Sequence, residues 1–544
     1  MYSYNFKIGF YFKLIRFVNS LYYVKTDNYQ SLFAKYETSF ISYNCSFGIL
    51  KKYMSYKVFR IYFLLISILL LSCNKRRDFI ELKKPNILLL YMDDLRPELA
   101  TYGASHIISP NIDKLANKGM KFTNAYCNVP VCGASRASML TGMLPTKNRF
   151  LDYNTFVEKE TPNAITLPQL FKNNGYTTIS NGKIYHHLDD RENDWDEVWR
   201  PYAFDKNDKN LAPTDYWQSL WKDYQNKDNI LEYKKTNTGP AYESAVVNDS
   251  IYIDGLLTEK VVRDIKKLKN SKKPFFLTAG FISPHLPFNA PKKYWELYKR
   301  DSIKQPENYN YTPKYAPKMS ISSWGEMRAY SNIPKKDQVS DSIAIDLIHG
   351  YYATISYTDA LVGKILNELK NQELEKNTIV ILVADHGYNL QEHTQWAKFT
   401  NYNTSTEVPL IIYNPFIKNK GKTNALVELV DIYPTLAELC NLKIPKKQLD
   451  GTSLVSILNN KESKGNDHIF IKKGNGFTLK TPEFSYTEFV KAEDNSLITS
   501  MLYDHRVDKA ENINVVNNSK YKDIVVQLKK LLHQNYKENI LGNN

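Results

Sequence analysis

Three short runs of almost uninterrupted apolar residues punctuate this chain, and each ends in ionisable side chains. Residues 86–92 lead into Asp93-Asp94, residues 274–282 into Ser283-Pro284-His285, and residues 378–384 into Asp385-His386. Apolar runs of this length read as strands buried on both faces. Helical patterns lie between them, such as residues 112–119 and 256–268. The alternation predicts an α/β sheet with helices on both sides. In open α/β sheets functional groups gather at the carboxyl ends of the strands, which is where all three runs place their Asp and His residues.

The pattern lapses twice. Residues 191–246 and 300–345 are polar, with Asn, Asp, Lys, Tyr and Pro. They predict surface elaborations outside the sheet, of the kind that shape a substrate cleft. Beyond Leu454 the periods shorten: residues 468–472, 485–490 and 496–504 read as strands and 522–532 as a helix. This gives a catalytic unit over 84–454 and a small C-terminal α+β unit over 455–544. A chain of 544 residues has the length to bury a core in each. No internal repeat is present.

Charge changes the picture less than its total suggests. The chain carries +15, but residues 1–77 hold a net +10, leaving only +5 for the rest. A nucleic-acid partner needs a basic face on the folded part, so none is expected. Residues 54–60 are basic, 61–71 form an apolar run, and Ser72 precedes Cys73. Eleven apolar residues are too few to span a bilayer unaided but fit a secretory leader. The ending Leu70-Leu71-Ser72-Cys73 resembles a bacterial lipobox, which implies an exported protein anchored to a membrane through lipid on Cys73, at the periplasm or the cell surface. Residues 54–73 are then the signal peptide, and residues 1–53 are expected to be an upstream extension absent from the mature protein.

Five cysteines, Cys45, Cys73, Cys127, Cys132 and Cys440, do not make a disulfide framework in a chain this long. Cys127 reads as a buried small apolar residue. Cys132 is different, because it opens Cys132-Gly133-Ala134-Ser135-Arg136, ahead of a helical run. Positions i and i+4 share a helix face, and a helix N-terminus offers free N–H groups and a positive dipole end. Arg136 and the backbone are thus placed to hold an oxyanion beside residue 132. Asp93, Asp94 and Asp385 add hard oxygen donors suited to Ca²⁺ or Mg²⁺, which would neutralise a dianionic substrate.

The stretch Cys132 to Gly142 resembles the maturation signature of type I sulfatases, Cys-x-Pro/Ala-Ser-Arg with a Leu-Thr-Gly tail. Further motifs resemble the iduronate-2-sulfatase branch: Asp93-Asp94-Leu95-Arg96-Pro97, Ser109-Pro110-Asn111-Ile112-Asp113, Gly182-Lys183-Ile184-Tyr185-His186, Pro284-His285-Leu286-Pro287-Phe288, Asp385-His386-Gly387 and Trp396-Ala397-Lys398. The similarity spans roughly residues 84–440. It implies an alkaline-phosphatase-like α/β fold with a large mixed sheet and a smaller C-terminal α+β domain. It also implies that Cys132 is converted by a maturation enzyme to formylglycine (3-oxoalanine), whose hydrate is the nucleophile. Asp93, Asp94, residue 132, Asp385 and His386 would hold one Ca²⁺, with Mg²⁺ the lesser alternative.

The remaining roles follow from the resemblance and the chemistry together. Arg136 would stabilise the hydrate, Lys183 and Lys398 would grip sulfate oxygens as point charges, His285 would protonate the leaving alcohol, and His186 would orient or deprotonate the hydrate. The expected substrate is a sulfated saccharide from a glycosaminoglycan or an algal polysaccharide such as ulvan. Two alternatives stay open on the sequence: a phosphoric-ester or phosphonate hydrolase of the same superfamily, and a non-catalytic surface lipoprotein that binds sulfated glycans. His187, His393 and Glu392 are assigned no catalytic role.

Overall fold

The computed structural model describes residues 84–201 and 223–541; the leader, the lipobox and the extension before it lie outside them. The strands of the main sheet are β1 (Asn86–Met92), β2 (Met120–Phe122), β3 (Thr177–Gly182), β4 (Glu197–Trp199), β5 (Phe275–Gly280), β6 (Thr378–Ala384), β7 (Leu410–Tyr413) and β8 (Gly421–Thr423). Their order is β8-β2-β7-β6-β1-β5-β3-β4. The centre is parallel, β3, β5, β1 and β6 running together, while β7 is antiparallel to β6 and to β2. The sheet is therefore mixed. β1 and β6 are buried at every position, as their unbroken apolar runs require.

Helices α1 (Pro110–Lys118), α2 (Cys132–Thr141), α3 (Ile253–Leu268) and α4 (Asp341–Asn371) flank the sheet. α3 packs on β3 and β5, and the long α4 packs on α1 and α3. α2 is buried along its whole length and stops at Gly142, whose φ of 68° is the left-handed conformation that glycine adopts without a Cβ penalty.

The C-terminal region forms a second, antiparallel sheet in sequence order: β9 (Ile469–Lys473), β10 (Gly476–Lys480), β11 (Phe484–Val490) and β12 (Leu497–Asp504). Helix α5 (Lys522–Asn535) covers it, with Leu528 and Leu532, one turn apart, joining Phe470, Leu479, Tyr486 and Leu502 in a separate apolar cluster. β10 is absent from the sequence reading, because it begins at a glycine and carries no alternation, yet all five of its residues are buried.

One expectation is corrected. Residues 191–246 are not wholly outside the sheets. β4 pairs in parallel with β3 at the edge, and Tyr242–Ala245 pairs with Phe288–Pro291. β4 is three residues long and only partly buried, too short for a period of two to register.

Register is what builds the site. Gly182 pairs with Gly280, Tyr91 pairs with Gly280, and Met92 pairs with Ala384. Four neighbouring parallel strands thus end at one level. The residues that follow, Lys183, Asp93-Asp94 and Asp385-His386, together with the loop to His285, emerge side by side.

Candidate active site

Asp93, Asp94, Asp385 and His386 are fully buried at these strand ends. Asp94 has φ of 63°, a strained conformation for a residue with a Cβ. The turn is held by its own N–H, which donates to Asp385 Oδ1 at 3.2 Å, and by the Tyr351 hydroxyl, which donates to the Asp94 carbonyl at 2.7 Å. His386 Nδ1 lies 2.9 Å from the Gly387 carbonyl and 3.4 Å from Asp94 Oδ1.

Cys132 is the first residue of α2, entered from an extended Val131. Its Sγ lies 3.2 Å from His386 Nε2. The helix is pinned to β6 by Ser135, whose hydroxyl donates to the Asp385 carbonyl at 2.5 Å. Gly133 is needed for a close approach: a Cβ there would stand 2.4 Å from the Tyr153 carbonyl oxygen. Arg136, one turn after Cys132, is fully buried. Its Nε donates to Asp385 Oδ2 at 2.9 Å, Nη2 lies 3.6 Å from Asp93 Oδ1, and Nη1 donates to the Lys183 carbonyl. Arg136 therefore braces the carboxylates beside residue 132.

Three buried carboxylates face three buried cations. Lys183 Nζ bonds Asp93 Oδ2, and Lys398 Nζ lies 2.9 and 3.1 Å from the two oxygens of Asp94. Such matching matters, because an unpaired buried charge costs several kcal/mol. Burial pushes the Asp93 carboxyl up, but Lys183 and Arg136 outweigh it and hold the group well below the usual range. Burial works against the charge on Lys183, and Asp93 reverses it. Burial, reinforced by Asp93, pushes the Cys132 thiol well up despite the two lysines. Cys132 as such is a thiol and a poor nucleophile, since only the thiolate attacks.

His285 sits over the same cluster, with Nε2 3.8 Å from Asp94 Oδ2 and 2.7 Å from Glu326 Oε1. Burial and Lys398 press its imidazole down; Glu326, Asp94 and Asp93 outweigh them and raise it. Its loop is fixed by Asp254 of α3, whose carboxylate accepts the Ile282 and Ser283 N–H groups at 2.9 and 2.7 Å. His186 stands at the side of the site, partly exposed, its ring 6.1 Å from that of Tyr153. Burial and Lys183 press its imidazole well below the usual histidine range, which weakens it as a base. His187 stacks on Phe156, His393 lies 2.8 Å from the Ala510 carbonyl, and Glu392 pairs with Arg96.

The structure thus gathers nine of the sequence-derived residues, Asp93, Asp94, Cys132, Arg136, Lys183, His285, Asp385, His386 and Lys398, into one contact network, with His186 at its edge. It adds Glu326, which the sequence reading missed. Glu326 lies in the polar stretch 300–345, where no apolar period marks its place. Its other oxygen lies 2.9 Å from Lys398 Nζ.

The profile of the sulfatase family matches residues 85–442 of this chain, over all of these residues. The chain belongs to the sulfatase family. A second profile, the C-terminal region of N-sulphoglucosamine sulphohydrolase, matches residues 391–538. The chain is 32% identical to iduronate 2-sulfatase of Mus musculus over 66% of its own length and 70% of that protein. It is 30% identical to a sulfatase of Formosa agariphila, over 87% of this chain and 91% of the other. Among solved structures it resembles BT4656 in complex with D-glucosamine-2-N,6-O-disulfate, with a TM-score of 0.66 and 21% identity over 85% of this chain and 99% of that one. It resembles the phosphonate monoester hydrolase of Silicibacter pomeroyi equally, with a TM-score of 0.66 and 21% identity over 84% and 97%. These likenesses establish the alkaline-phosphatase-like fold, and the sulfatase match makes this member a sulfuric ester hydrolase. A non-catalytic glycan binder is thereby set aside.

Membership implies a metal ion and a formylglycine in general terms, and the residues present fit both. One donor atom each from Asp93, Cys132, Asp385 and His386 lie within 4.8 Å of one another, and all four residues are buried. Asp93 Oδ1 has no hydrogen-bond partner among the described residues. Carboxylate oxygens converging in this way suit a hard divalent cation.

Proposed function

We propose that this sulfatase hydrolyses sulfate monoesters on a saccharide, with formylglycine derived from Cys132 and one Ca²⁺ in its site. The observation that carries the reading is Cys132 Sγ at the head of α2, 3.2 Å from His386 and ringed by Asp93, Asp94, Asp385, Lys183 and Lys398. The aldehyde hydrate would supply an oxygen nucleophile for sulfur, and the cation would neutralise sulfate charge. Asp93, Asp94, Asp385 and His386 would hold that cation. Calcium is preferred to magnesium because it tolerates an irregular, carboxylate-rich set, whereas magnesium demands a near-ideal octahedron.

The side chains divide the remaining work. Lys183 and Lys398 bind sulfate oxygens as point charges in a water-poor site, where such charges act strongly. Arg136 fixes Asp385 and Asp93, and with them the geometry around residue 132. His186, at the edge of the pocket beside Tyr153, orients the nucleophile at residue 132. His285, protonated and held by Glu326, delivers a proton from Nε2 to the leaving sugar oxygen.

The likeness to an iduronate 2-sulfatase and to a protein seen with a disulfated glucosamine supports a saccharide substrate, from a glycosaminoglycan or a sulfated algal polysaccharide. The leader and lipobox support export and a lipid anchor, and the Cys132 signature supports dependence on a maturation enzyme. The test is sulfate release from a panel of sugar sulfates by matured protein, set against Cys132→Ala. Faster turnover of aryl phosphate than aryl sulfate would replace this reading with a phosphoester one.

A further inference from the structure

We propose that the amino ends of the central strands present a basic face that docks on an anionic phospholipid surface, with the catalytic pocket turned away from it. The inference goes beyond the sulfatase activity and takes its source of membrane from the export and lipid-anchor reading above.

Position is the first support. Asn86 of β1, Thr378 of β6, Phe275 of β5 and Thr177 of β3 start the four parallel strands at one level. The seven residues of β1 separate that level from Asp93-Asp94, a rise of about 23 Å at roughly 3.3 Å per residue. The pocket and this face are therefore the two ends of the same strands. Hydrogen bonds join the loops that make the face. Lys84 Nζ donates to the Asn174 carbonyl at 3.0 Å, and Asn377 Nδ2 donates to the Lys84 carbonyl at 3.4 Å. The Thr177 N–H donates to the Pro274 carbonyl at 2.8 Å, and Lys269 Nζ donates to the Gln372 carbonyl at 2.8 Å. Tyr176 hydrogen-bonds Cys440, on which Lys84 also acts electrostatically. Lys272, Lys273, Lys376 and Lys443 stand on these same loops.

Charge is the second support. Lys84, Lys272, Lys273, Lys376 and Lys443 are exposed and, among the described residues, form no ion pair. The acids of the 372–377 loop are already matched, Glu373 lying 3.6 Å from Lys269 and Glu375 2.6 Å from Lys118. A lysine in the last turn of an α-helix complements the helix dipole, but these five lie outside the α-helices. Beyond residue 77 the chain carries only +5, so unmatched lysines gathered on one face are a local concentration of charge. Ammonium groups held near an anionic leaflet are each attracted to it. The chain outside the described residues supplies the third support. Eleven residues from Cys73 to Lys84 span at most about 40 Å, so a lipid on Cys73 keeps a bilayer within reach of the face that Lys84 belongs to. Such a tether leaves the domain free to turn, and the lysines select the face that rests on the lipid.

The test uses the chain from residue 74, which holds every described residue and lacks the lipid-bearing Cys73. Its partition is measured onto vesicles of phosphatidylglycerol and of phosphatidylcholine. One variant combines Lys273→Gln, Lys376→Gln and Lys443→Gln. A charge-matched control combines Lys491→Gln, Lys520→Gln and Lys530→Gln, exposed on the C-terminal unit. The parent is expected to bind phosphatidylglycerol and not phosphatidylcholine, with affinity falling as salt rises. Each face lysine is expected to contribute about fivefold, so the first variant loses on the order of a hundredfold while the control stays near the parent. Both keep the parent turnover of an aryl sulfate, which shows that they are folded. Absence of parent binding, equal binding to the two lipids, equal losses in the two variants or no loss in the first each overturn the proposal. Lysine-dependent binding of a soluble sulfated polysaccharide without binding to phosphatidylglycerol would assign the face to that polymer and also overturn it. The mass of the N-terminal peptide from protein made in its native host tests the anchor by itself: an unlipidated N-terminus ends the anchor reading, and the vesicle result still decides the face.

Discussion

Glu326 Oε1 lies 2.7 Å from His285 Nε2, while its second oxygen lies 2.9 Å from Lys398 Nζ. One carboxylate thus ties the proposed proton donor to a proposed sulfate-binding lysine. If His285 acts on the leaving oxygen, its loss is felt most where the leaving group is a poor one. His285→Ala is expected to lower kcat on a sugar sulfate by roughly 10²–10⁴-fold, the usual worth of a positioned general acid. Glu326→Gln is expected to follow in the same direction with a smaller effect. An aryl sulfate with an acidic phenol leaves without help, so its turnover should change little in either variant. Equal losses on both substrate types would show that the pair serves only to hold the pocket together.

Metal removal gives a second prediction. Chelation is expected to stop sulfate release, and added Ca²⁺ to restore it. Because the buried carboxylates are already matched by Arg136, Lys183 and Lys398, the stripped protein should stay folded. Saturating Ca²⁺ should raise its melting temperature, since a ligand at a hundred times its dissociation constant contributes about 2.7 kcal/mol. Melting scans with and without Ca²⁺, and on Asp385→Asn, check this; Asp385→Asn should lose the calcium-induced rise.

Gly133→Ala sets two effects against each other. Alanine in place of glycine inside a helix gains about 1 kcal/mol by propensity alone. Here the new Cβ would stand 2.4 Å from a backbone oxygen of Tyr153, and backbone cannot swing aside as a side-chain tip can. Overpacking of this kind costs typically about 1–3 kcal/mol, so a net loss of stability and a displaced residue 132 are expected. Chemical denaturation together with kcat measures both.

Asp254 gives a pH prediction. Burial raises its carboxyl from 3.8 to about 6, against the two backbone N–H groups it accepts. From about pH 4 to pH 6 the folded protein keeps a proton that the unfolded chain has released. Asp254 therefore makes stability fall as pH rises through that window, with no further change above it, by on the order of 3 kcal/mol in total. Asp254→Asn should remove that slope. Unfolding curves of parent and variant across the window would refute this if their difference were independent of pH.

The strand ends were legible in the sequence because doubly buried strands leave unbroken apolar runs, and Asp93, Asp385 and the loop to His285 follow such runs directly. Cys132, Arg136, Lys183 and Lys398 were legible through motifs, since out of context each reads as an ordinary buried or surface residue. Glu326 was not legible. It reaches the site from a stretch of turns whose course is set by tertiary packing, with the adjacent Met327 buried in the core. β4 and β10 were missed for a related reason: a three-residue edge strand and a glycine-initiated strand carry no period to read. Arg136, placed beside residue 132 by its i+4 spacing, also contacts Asp385 and Asp93, which the sequence did not reveal.

The central claim is that the acting residue at position 132 is not cysteine. The direct measurement is the mass of the peptide spanning residue 132, taken from protein that releases sulfate. The expected mass has the sulfur exchanged for an oxygen with loss of two hydrogens for the aldehyde, and one water more for its hydrate, and the modified fraction should track specific activity across preparations. Full sulfate release from protein whose peptide carries only unmodified Cys132 would contradict the account.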